Sequence, residues 1–299
     1  TQLFRMKLNL EINKNVKEFN VFAKKYLNSN KDGSSLWAAM NYGVVNGGKR
    51  IRPLLIIYIS KFLKINKPSY MRLALATEFV HAYSLIHDDL PGMDNDDLRR
   101  GKPTTHKKYG EAIAILAGNS LLTLAFQLLA DPKTNSNSNI RLKLIDSLSK
   151  IAGYTGLAGW QSLDLLYEKK NVSEKQILKM HELKTARLFE FCLIAPLILS
   201  GKSNPAKLRY YKKYGKNFGL IFQATDDLID NIGDKNITGK KTQKDLKKNK
   251  GNIMKYKSIH DIKNYCLKLA KNATHSSSPF SDVTNPLNTL IFHIINRVQ

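Results

Sequence analysis

The 299-residue sequence has few cysteines, few acidic residues and no long hydrophobic run. Its two cysteines, Cys192 and Cys266, are too few for a disulfide framework in a chain of this length, which indicates a reducing setting. The longest apolar runs, 54–59 and 191–199, are far shorter than the roughly 20 residues that span a bilayer, and residues 1–10 lack the apolar core of a secretory signal. We therefore expect a cytoplasmic protein that does not insert into membranes.

Acidic residues are outnumbered two to one, with 24 Asp and Glu against 48 Lys and Arg, which gives a formal net charge of +24. Such a charge makes nucleic-acid binding one functional hypothesis. The basic residues, however, are 38 lysines and only 10 arginines, and arginine is the residue that reads base edges and forks onto phosphates. We therefore favour a lysine-rich solvated surface on a folded protein, because 42% of the residues are hydrophobic and can form a core.

The scarce carboxylates are concentrated in two short segments. Residues 88–97 contain five aspartates and residues 226–234 contain four, namely Asp88, Asp89, Asp94, Asp96, Asp97, Asp226, Asp227, Asp230 and Asp234. Carboxylates this close repel one another and raise one another's pKa unless a cation shares the site. Proteins hold Mg²⁺ by a few carboxylates while substrate phosphates complete its shell. Two magnesium-binding segments are therefore predicted, with a solvated acidic loop as the alternative for either segment alone.

Apolar residues recur at helical spacing through the chain, and strict apolar–polar alternation is nearly absent. The pattern predicts no strands and helices at about 8–27, 35–45, 51–64, 69–90, 110–130, 139–154, 174–200, 205–232, 258–271 and 285–297. No change in composition divides the chain, so we predict one all-α domain over residues 1–299. Phe218, Phe222, Asp226 and Asp230 share one stripe of a helix. A helix ending near Asp88 would face that stripe across a pocket with an acidic rim and an apolar floor.

Five motifs carry a resemblance to a known family. They are Gly-Gly-Lys-Arg-Ile-Arg-Pro at 47–53, a segment at 81–94 that ends in Asp-Asp-Leu-Pro-Gly-Met-Asp, Arg-Arg-Gly at 99–101, Lys-Thr at 184–185, and Gln223 with Asp-Asp-Leu-Ile-Asp at 226–230. Together, in this order and spacing, they closely resemble the trans-isoprenyl diphosphate synthases and are nearest to the bacterial farnesyl diphosphate synthases. The resemblance runs from about residue 36 to the C-terminus. One aspartate-rich motif alone would also be found in terpene cyclases, which have no second diphosphate substrate.

The resemblance implies a fold, an activity, a cofactor and an assembly. The fold is a single large helical bundle of the isoprenoid synthase type with a central active-site cavity. The activity is the head-to-tail condensation of isopentenyl diphosphate with dimethylallyl and then geranyl diphosphate, which gives (2E,6E)-farnesyl diphosphate. The cofactor is Mg²⁺, with three ions per active site, and the assembly is a homodimer that acts on small-molecule diphosphates. Synthases of the same fold that stop at C10 or continue to C20 remain alternatives.

The resemblance also implies roles for individual residues. The implied metal ligands are Asp88, Asp94 and Asp226, with Asp89 and Asp230 as supporting carboxylates. The residues implied to bind isopentenyl diphosphate are Lys49, Arg52, His81 and Arg100. Those implied to bind the allylic diphosphate are Arg99, Lys184, Thr185, Gln223, Lys240 and Lys250. Among these, Lys184, Thr185 and Gln223 are also the implied catalytic residues, because the two side-chain oxygens and the Lys184 carbonyl can stabilise a carbocation.

Tyr83 and Ser84 are the predicted floor of the pocket. Tyr83 precedes Asp88 by five residues, which is about 7.5 Å along a helix at about 1.5 Å per residue, so a C15 product would abut its ring. By the resemblance, an aromatic residue here together with the insertion at 90–93 is typical of bacterial farnesyl synthases. The chain departs from the family's pattern at residues 251–254, at Trp160, where a second glycine is usual, and at Asn119, where aspartate is common.

Overall fold

The computed structural model describes residues 2–167, 173–237, 257–274 and 281–295, and these are almost entirely helical. The helices are α1 Gln2–Ser29, α2 Ser35–Val45, α3 Ile51–Phe62, α4 Lys67–Asp88, α5 Thr105–Tyr109, α6 Glu111–Ala130, α7 Ser138–Ala152, α8 Leu157–Tyr167, α9 Glu174–His181, α10 Arg187–Leu199, α11 Pro205–Ile237, α12 Ile259–Thr274 and α13 Ser281–Ile295. A π-helical turn, Glu182–Ala186, joins α9 to α10. The predicted all-α class is confirmed.

The prediction of a chain without strands was wrong in one place. Strands β1 Leu98–Arg99 and β2 Lys102–Pro103 pair in antiparallel fashion. The two residues between them, Arg100 and Gly101, have φ angles of +55° and +75°, and two left-handed residues are what a tight hairpin turn requires. Strands of two residues are too short to show alternation. Helices α5 and α8 were also missed, the second because glycines at 153, 156 and 159 are poor helix formers.

One compact unit comprises Thr1–Ser147 and Ala195–Lys202, and α4 lies at its centre. Helix α4 packs against α2, α3 and α6, and its Leu73, Ala74 and Phe79 are wholly buried. Asn66 caps its start by accepting the Ser69 N–H. Helix α6 is long and apolar enough to cross a membrane by length and composition. Several of its residues are buried, as in the core helix of a globular protein. A single helix of this length and composition is weak support for a membrane span.

The other unit comprises Leu148–Ile194 and Ser203–Gln299, with α11 at its centre. Helix α11 packs against the π-helical turn, α12 and α13. The Phe189 ring lies 5.2 Å from the rings of both Phe218 and Phe222, centroid to centroid, so the aromatic stripe predicted on α11 is part of a core. Cys192 and Cys266 are free thiols, both wholly buried, and burial raises the pKa of Cys266 to about 12. The single domain over 1–299 stays a prediction.

Candidate active site

The first aspartate-rich segment folds back over the C-terminal end of α4. The Asp94 N–H donates to the Asp88 carbonyl at 2.9 Å, and the Asp96 N–H donates to the Asp89 carbonyl at 3.2 Å. Asp88, Asp89 and Asp94 are only 5%, 3% and 7% exposed. The C-terminal end of a helix carries partial negative charge and does not stabilise carboxylates, so these three groups need cations.

Asp89 obtains its cation from Arg99 on β1. The Arg99 Nε lies 2.9 Å from both oxygens of Asp89, and Nη2 lies 2.5 Å from Oδ1. Burial raises the pKa of Asp89 above its usual value, although the hydrogen bond from Arg99 opposes the shift. The contact is bidentate, which fixes the plane of the guanidinium as well as its position. Asp89 therefore orients Arg99, the arginine predicted to bind the allylic diphosphate, while its predicted role as a supporting metal ligand stays a prediction.

Arg100 is held by the loop between α2 and α3. Its Nη1 donates to the Gly47 carbonyl, and Lys102 Nζ donates to Asn46 Oδ1 at 3.1 Å, so the β-hairpin rests on this loop. Gly48 has a φ of +133°, and a Cβ added there would lie 2.9 Å from Nη1 of Arg100. Only glycine leaves room for this approach. The Gly-Gly-Lys-Arg and Arg-Arg-Gly motifs are therefore in contact.

Arg52 and His81 form the next pair, with Nη1 of Arg52 3.3 Å from Nε2 of His81. Burial, and then the positive charge of Arg52 and Arg100, hold the pKa of His81 well below its usual value. A neutral ring can accept an N–H at Nε2, so His81 positions Arg52 without adding charge. Three of the four residues predicted to bind isopentenyl diphosphate thus lie in contact with neighbouring motifs, while Lys49 is exposed on the loop.

Arg50 has a different task from the other cations of its motif. It is 6% exposed, forms an ion pair with Glu78, and donates from Nη2 to the Val44 carbonyl at 2.6 Å. Its Nε donates to Asn20 at 3.0 Å. These contacts tie α1, the end of α2 and α4 together, so Arg50 holds the loop that presents Lys49.

The predicted floor is buried in the first unit. Tyr83 is 5% exposed, its ring meets the His87 ring edge-on with centroids 5.7 Å apart, and burial raises its pKa to about 12. His87 in turn lies over Gly118 of α6, where an added Cβ would be 2.1 Å from Nε2. The Ser84 hydroxyl donates to the His81 carbonyl at 2.8 Å, inside the helix. Tyr83 is therefore the residue of the predicted floor that is backed by rigid packing.

The carboxylates of the first segment fit the predicted Mg²⁺. Among the residues that the structure describes, no three Asp, Glu, His or Cys side chains form a ready-made metal cluster. Mg²⁺ does not require one, because proteins hold it through one or two carboxylates while phosphates and water complete its shell. Asp88 and Asp94, buried and joined by a backbone hydrogen bond, supply such a pair. Asp226 is a partly exposed residue of α11.

In the second unit, a chain of hydrogen bonds joins the π-helical turn to α11. The Thr185 hydroxyl donates to Oε1 of Gln223 at 2.6 Å, and Nε2 of Gln223 donates to Oδ1 of Asp227 at 2.7 Å. Nε2 of His181 lies 3.5 Å from Oδ2 of Asp227. The arrangement fixes both ends of the Gln223 amide. Single π-helical turns occur often at functional sites, and this one carries Lys184 and Thr185.

Sequence reasoning assigned no role to Asp227 or His181. The spacing contained a signal for each, because Gln223 and Asp227 are four residues apart, as are His181 and Thr185. Trp160 was noted only as a departure, yet Nζ of Lys184 lies 4.5 Å from its ring centroid. The predicted residues Lys240 and Lys250, and residues 251–254, lie outside the described residues. The same is true of the side chain of Asp230.

Comparisons with known proteins agree with the motifs. The family model described as polyprenyl synthetase matches residues 34–285. The chain is 37% identical over 264 residues to farnesyl diphosphate synthase of Micrococcus luteus, covering 88% of this chain and 90% of the relative. It is 35% identical to a chloroplastic geranylgeranyl pyrophosphate synthase of Capsicum annuum, covering 89% of this chain and 73% of the relative. Its fold is similar to the crystal structure of an FPP/GFPP synthase from Zymomonas mobilis, with a TM-score of 0.84 at 32% identity over 96% of this chain and 99% of that one.

Proposed function

The chain belongs to the polyprenyl synthetase family, and from this membership we propose that it is a Mg²⁺-dependent farnesyl diphosphate synthase. It is a prenyltransferase of isoprenoid biosynthesis. The finer proposal is that it condenses isopentenyl diphosphate with dimethylallyl diphosphate and then with geranyl diphosphate, and releases (2E,6E)-farnesyl diphosphate.

The observation that carries the proposal is the assembly of cations and buried carboxylates at the end of α4. Arg99 is held by Asp89, Arg100 by the Gly47 carbonyl, and Arg52 contacts His81. Guanidiniums that are already fixed bind a diphosphate without losing side-chain conformational entropy at the moment of binding. In our proposal Arg99 binds the allylic diphosphate, while Lys49, Arg52, His81 and Arg100 bind isopentenyl diphosphate.

The reaction needs two further kinds of group, one for the departing diphosphate and one for the cation left behind. The C–O bond of the allylic diphosphate breaks and its electron pair leaves with the diphosphate, whose charge Arg99, Lys184, Lys240 and Lys250 neutralise. Thr185, Gln223 and the Lys184 carbonyl present oxygen dipoles to the allylic cation. The double bond of isopentenyl diphosphate then forms the new C–C bond, and the departing diphosphate takes the proton that is lost.

The residues that would hold Mg²⁺ are Asp88, Asp94 and Asp226, with Asp89 and Asp230 in support and three ions in all. Bound Mg²⁺ would supply electrostatic stabilisation of the charge on the leaving diphosphate. The protein's own contribution is to keep Asp88 and Asp94 buried and joined by a backbone hydrogen bond. The two residues therefore lose little conformational freedom when the metal binds.

The proposed product length rests on Tyr83. Because its ring is buried and packs against His87, which itself lies over Gly118, a growing chain that reaches it meets a rigid obstacle. Tyr83→Ala is expected to shift the product from C15 toward C20, measured by chromatography of the dephosphorylated products. Tyr70→Ala, at a buried tyrosine near the start of the same helix, is the matched control. Unchanged C15 from the Tyr83 variant would place the floor elsewhere. Relatives that are named for C20 products make a geranylgeranyl synthase the second candidate, and a C10 synthase is the third.

We also propose a cytoplasmic homodimer. The exposed face of α6 carries Ile115 and Leu116, which are 43% and 49% exposed, with Ala112 on the same side. An apolar stripe of this kind on an exposed helix face is suited to a second copy of the chain. Sedimentation of the purified protein would test the assembly, and a monomer at micromolar concentration would contradict it.

The proposed function is tested by incubating the folded protein with radiolabelled isopentenyl diphosphate, dimethylallyl diphosphate and Mg²⁺, and sizing the products. Farnesyl diphosphate is expected, and none should form when EDTA removes the metal. Absence of any prenyl product from folded protein would overturn the proposal. Nucleic-acid binding is the alternative from another class, and it predicts affinity for nucleic acid that falls steeply with salt and does not depend on Asp88.

A further inference from the structure

Trp160 and Lys184 form a cation–π pair in the second unit. Nζ of Lys184 lies 4.5 Å from the centroid of the indole ring, inside the distance of about 6 Å at which an ammonium is attracted to the face of an aromatic ring. Trp160 is 3% exposed, whereas Lys184 is partly exposed. The ring is therefore the fixed partner and the ammonium is the one that can move.

The indole ring is held by packing alone. It belongs to a cluster with Met180 and Leu183, against which Leu163 and Tyr167 of α8 also pack. Its Nε1 is buried and has no hydrogen-bond partner among the described residues. Buried tryptophans usually satisfy this N–H, so leaving it without a partner reduces stability. Packing, and not a hydrogen bond from its N–H, therefore holds the ring, and one face of the ring is turned toward Lys184.

The ammonium of Lys184 has no carboxylate partner in the part of the chain that the structure describes. Glu182, two residues earlier in the same turn, pairs instead with Lys179, Arg187 and Lys216. An aromatic face restrains an ammonium without neutralising it. A carboxylate in the same place would compete with a diphosphate for the lysine.

We propose that Trp160 is a positioning residue for Lys184, which holds the ammonium near the place where it binds the allylic diphosphate and leaves its full charge for that ligand. The inference rests on the proposed function, in which Lys184 binds this substrate. It gives a role to a residue at which the chain departs from the pattern of the family it resembles.

Two substitutions separate the ring face from the volume of the ring. Trp160→Phe keeps an aromatic face, and Trp160→Met keeps apolar volume without one. We expect Trp160→Met to raise KM for dimethylallyl diphosphate about fivefold, while kcat and KM for isopentenyl diphosphate stay within about twofold and Trp160→Phe stays near the wild type. Equal loss in both variants, or equal changes in the two KM values, would mean that Trp160 acts only through stability, which thermal unfolding of each variant measures.

A second test keeps Trp160 in place and does not depend on turnover. The chain has two tryptophans, and in a Trp37→Phe background the fluorescence comes from Trp160 alone. Titration with inorganic pyrophosphate and Mg²⁺ is expected to change this emission as Lys184 turns from the ring to the anion. Lys184→Met in the same background should abolish the change. An identical response in that variant, or no response while calorimetry shows pyrophosphate binding, would overturn the proposal.

The two proposals fail in different ways. If the wild type forms no prenyl product, the proposed function is lost whatever Trp160 does. If the wild type is active and Trp160→Met has an unchanged KM for the allylic substrate, only the positioning role is lost.

Discussion

The two candidate site regions are held together by different forces. At the end of α4, charged groups hold one another, with Arg99 on Asp89 and Arg50 on Glu78, both with little exposure on the carboxylate side. At the π-helical turn, a hydroxyl, an amide and a carboxylate form a chain from Thr185 to Asp227, and an aromatic ring holds Lys184. The first region is built from full charges and the second largely from dipoles.

The difference corresponds to two chemical tasks of the proposed reaction. Diphosphates carry full negative charge, which fixed guanidiniums and Mg²⁺ neutralise. An allylic cation needs negative potential from atoms that do not attack it, and a hydroxyl or amide oxygen that is already fixed by hydrogen bonds supplies this without reorganising. Substitutions in the first region should therefore affect diphosphate binding, and substitutions of Thr185 or Gln223 in the second should affect the chemical step.

Asp88→Asn is expected to have the largest effect, because it removes a full charge from the predicted metal site. We expect kcat/KM to fall by about 10³-fold, measured with labelled isopentenyl diphosphate over a range of Mg²⁺ concentrations. Asp97→Asn is the matched control, since Asp97 is an exposed neighbour whose side chain pairs with Lys107 at 2.9 Å. A similar loss of kcat/KM in both variants would show that the total negative charge of the segment matters, and not the two buried carboxylates in particular.

Thr185→Val tests the second region by removing one hydroxyl at nearly constant volume. We expect kcat to fall about 30-fold with KM for both substrates little changed, because the hydroxyl acts in the chemical step. Thr225→Val is the control, since among the described residues the Thr225 hydroxyl bonds only to carbonyls of its own helix. If Thr185→Val instead raises KM and leaves kcat intact, the contrast between the two regions is wrong.

Gly48→Ala tests whether the placement of Arg100 matters for binding. The added methyl group would displace the guanidinium, and we expect KM for isopentenyl diphosphate to rise about tenfold, the cost of weakening one charge-assisted contact. Gly47→Ala is the matched control, because Gly47 also has a positive φ, of +92°, but open space around its Cβ position. Backbone strain alone would give the same KM in both variants.

The smallest expected effect is on stability and concerns His81. Its folded-state pKa is depressed, so the unfolded chain takes up this proton first as the pH falls below about 6.5, and stability is lost there. Above that pH the contribution is fully present. Between pH 7 and pH 5.5 the wild type should lose about 1 kcal/mol more of its unfolding free energy than His81→Gln does, as measured by urea unfolding. His260→Gln, at an exposed position, is the control substitution.

The sequence predicted the helices well because their apolar periodicity is long and regular. Helix α2 begins and ends at the predicted residues 35 and 45, and α4 ends within two residues of its predicted end. The elements that were missed are too short for a periodic pattern to repeat, as in the two-residue strands and the five-residue α5, or begin among glycines, as in α8. The π-helical turn was read as continuous helix, because one additional residue in a turn does not change the spacing enough to be seen.

For the candidate site, the motifs identified residue types but not their partners. Asp89 and Arg99 are ten residues apart along the chain, and Trp160 and Lys184 are 24 apart. Contacts of this kind depend on how a turn or a helix packs, which no local pattern contains. Arg50, in the middle of a predicted binding motif, has a buried structural role that its neighbours do not share. The motif did not show that Arg50 forms these structural contacts, because its partner Glu78 lies 28 residues away.

Arg100 adopts a left-handed backbone conformation, with φ at +55°. This conformation costs a residue with a Cβ about 1–2 kcal/mol, and glycine or asparagine adopts it more readily. A laboratory screen for heat-resistant variants should therefore select glycine or asparagine at this position. Either replacement would remove the guanidinium that is proposed to bind isopentenyl diphosphate. The hairpin turn is a point at which selection for durability and selection for catalysis oppose each other.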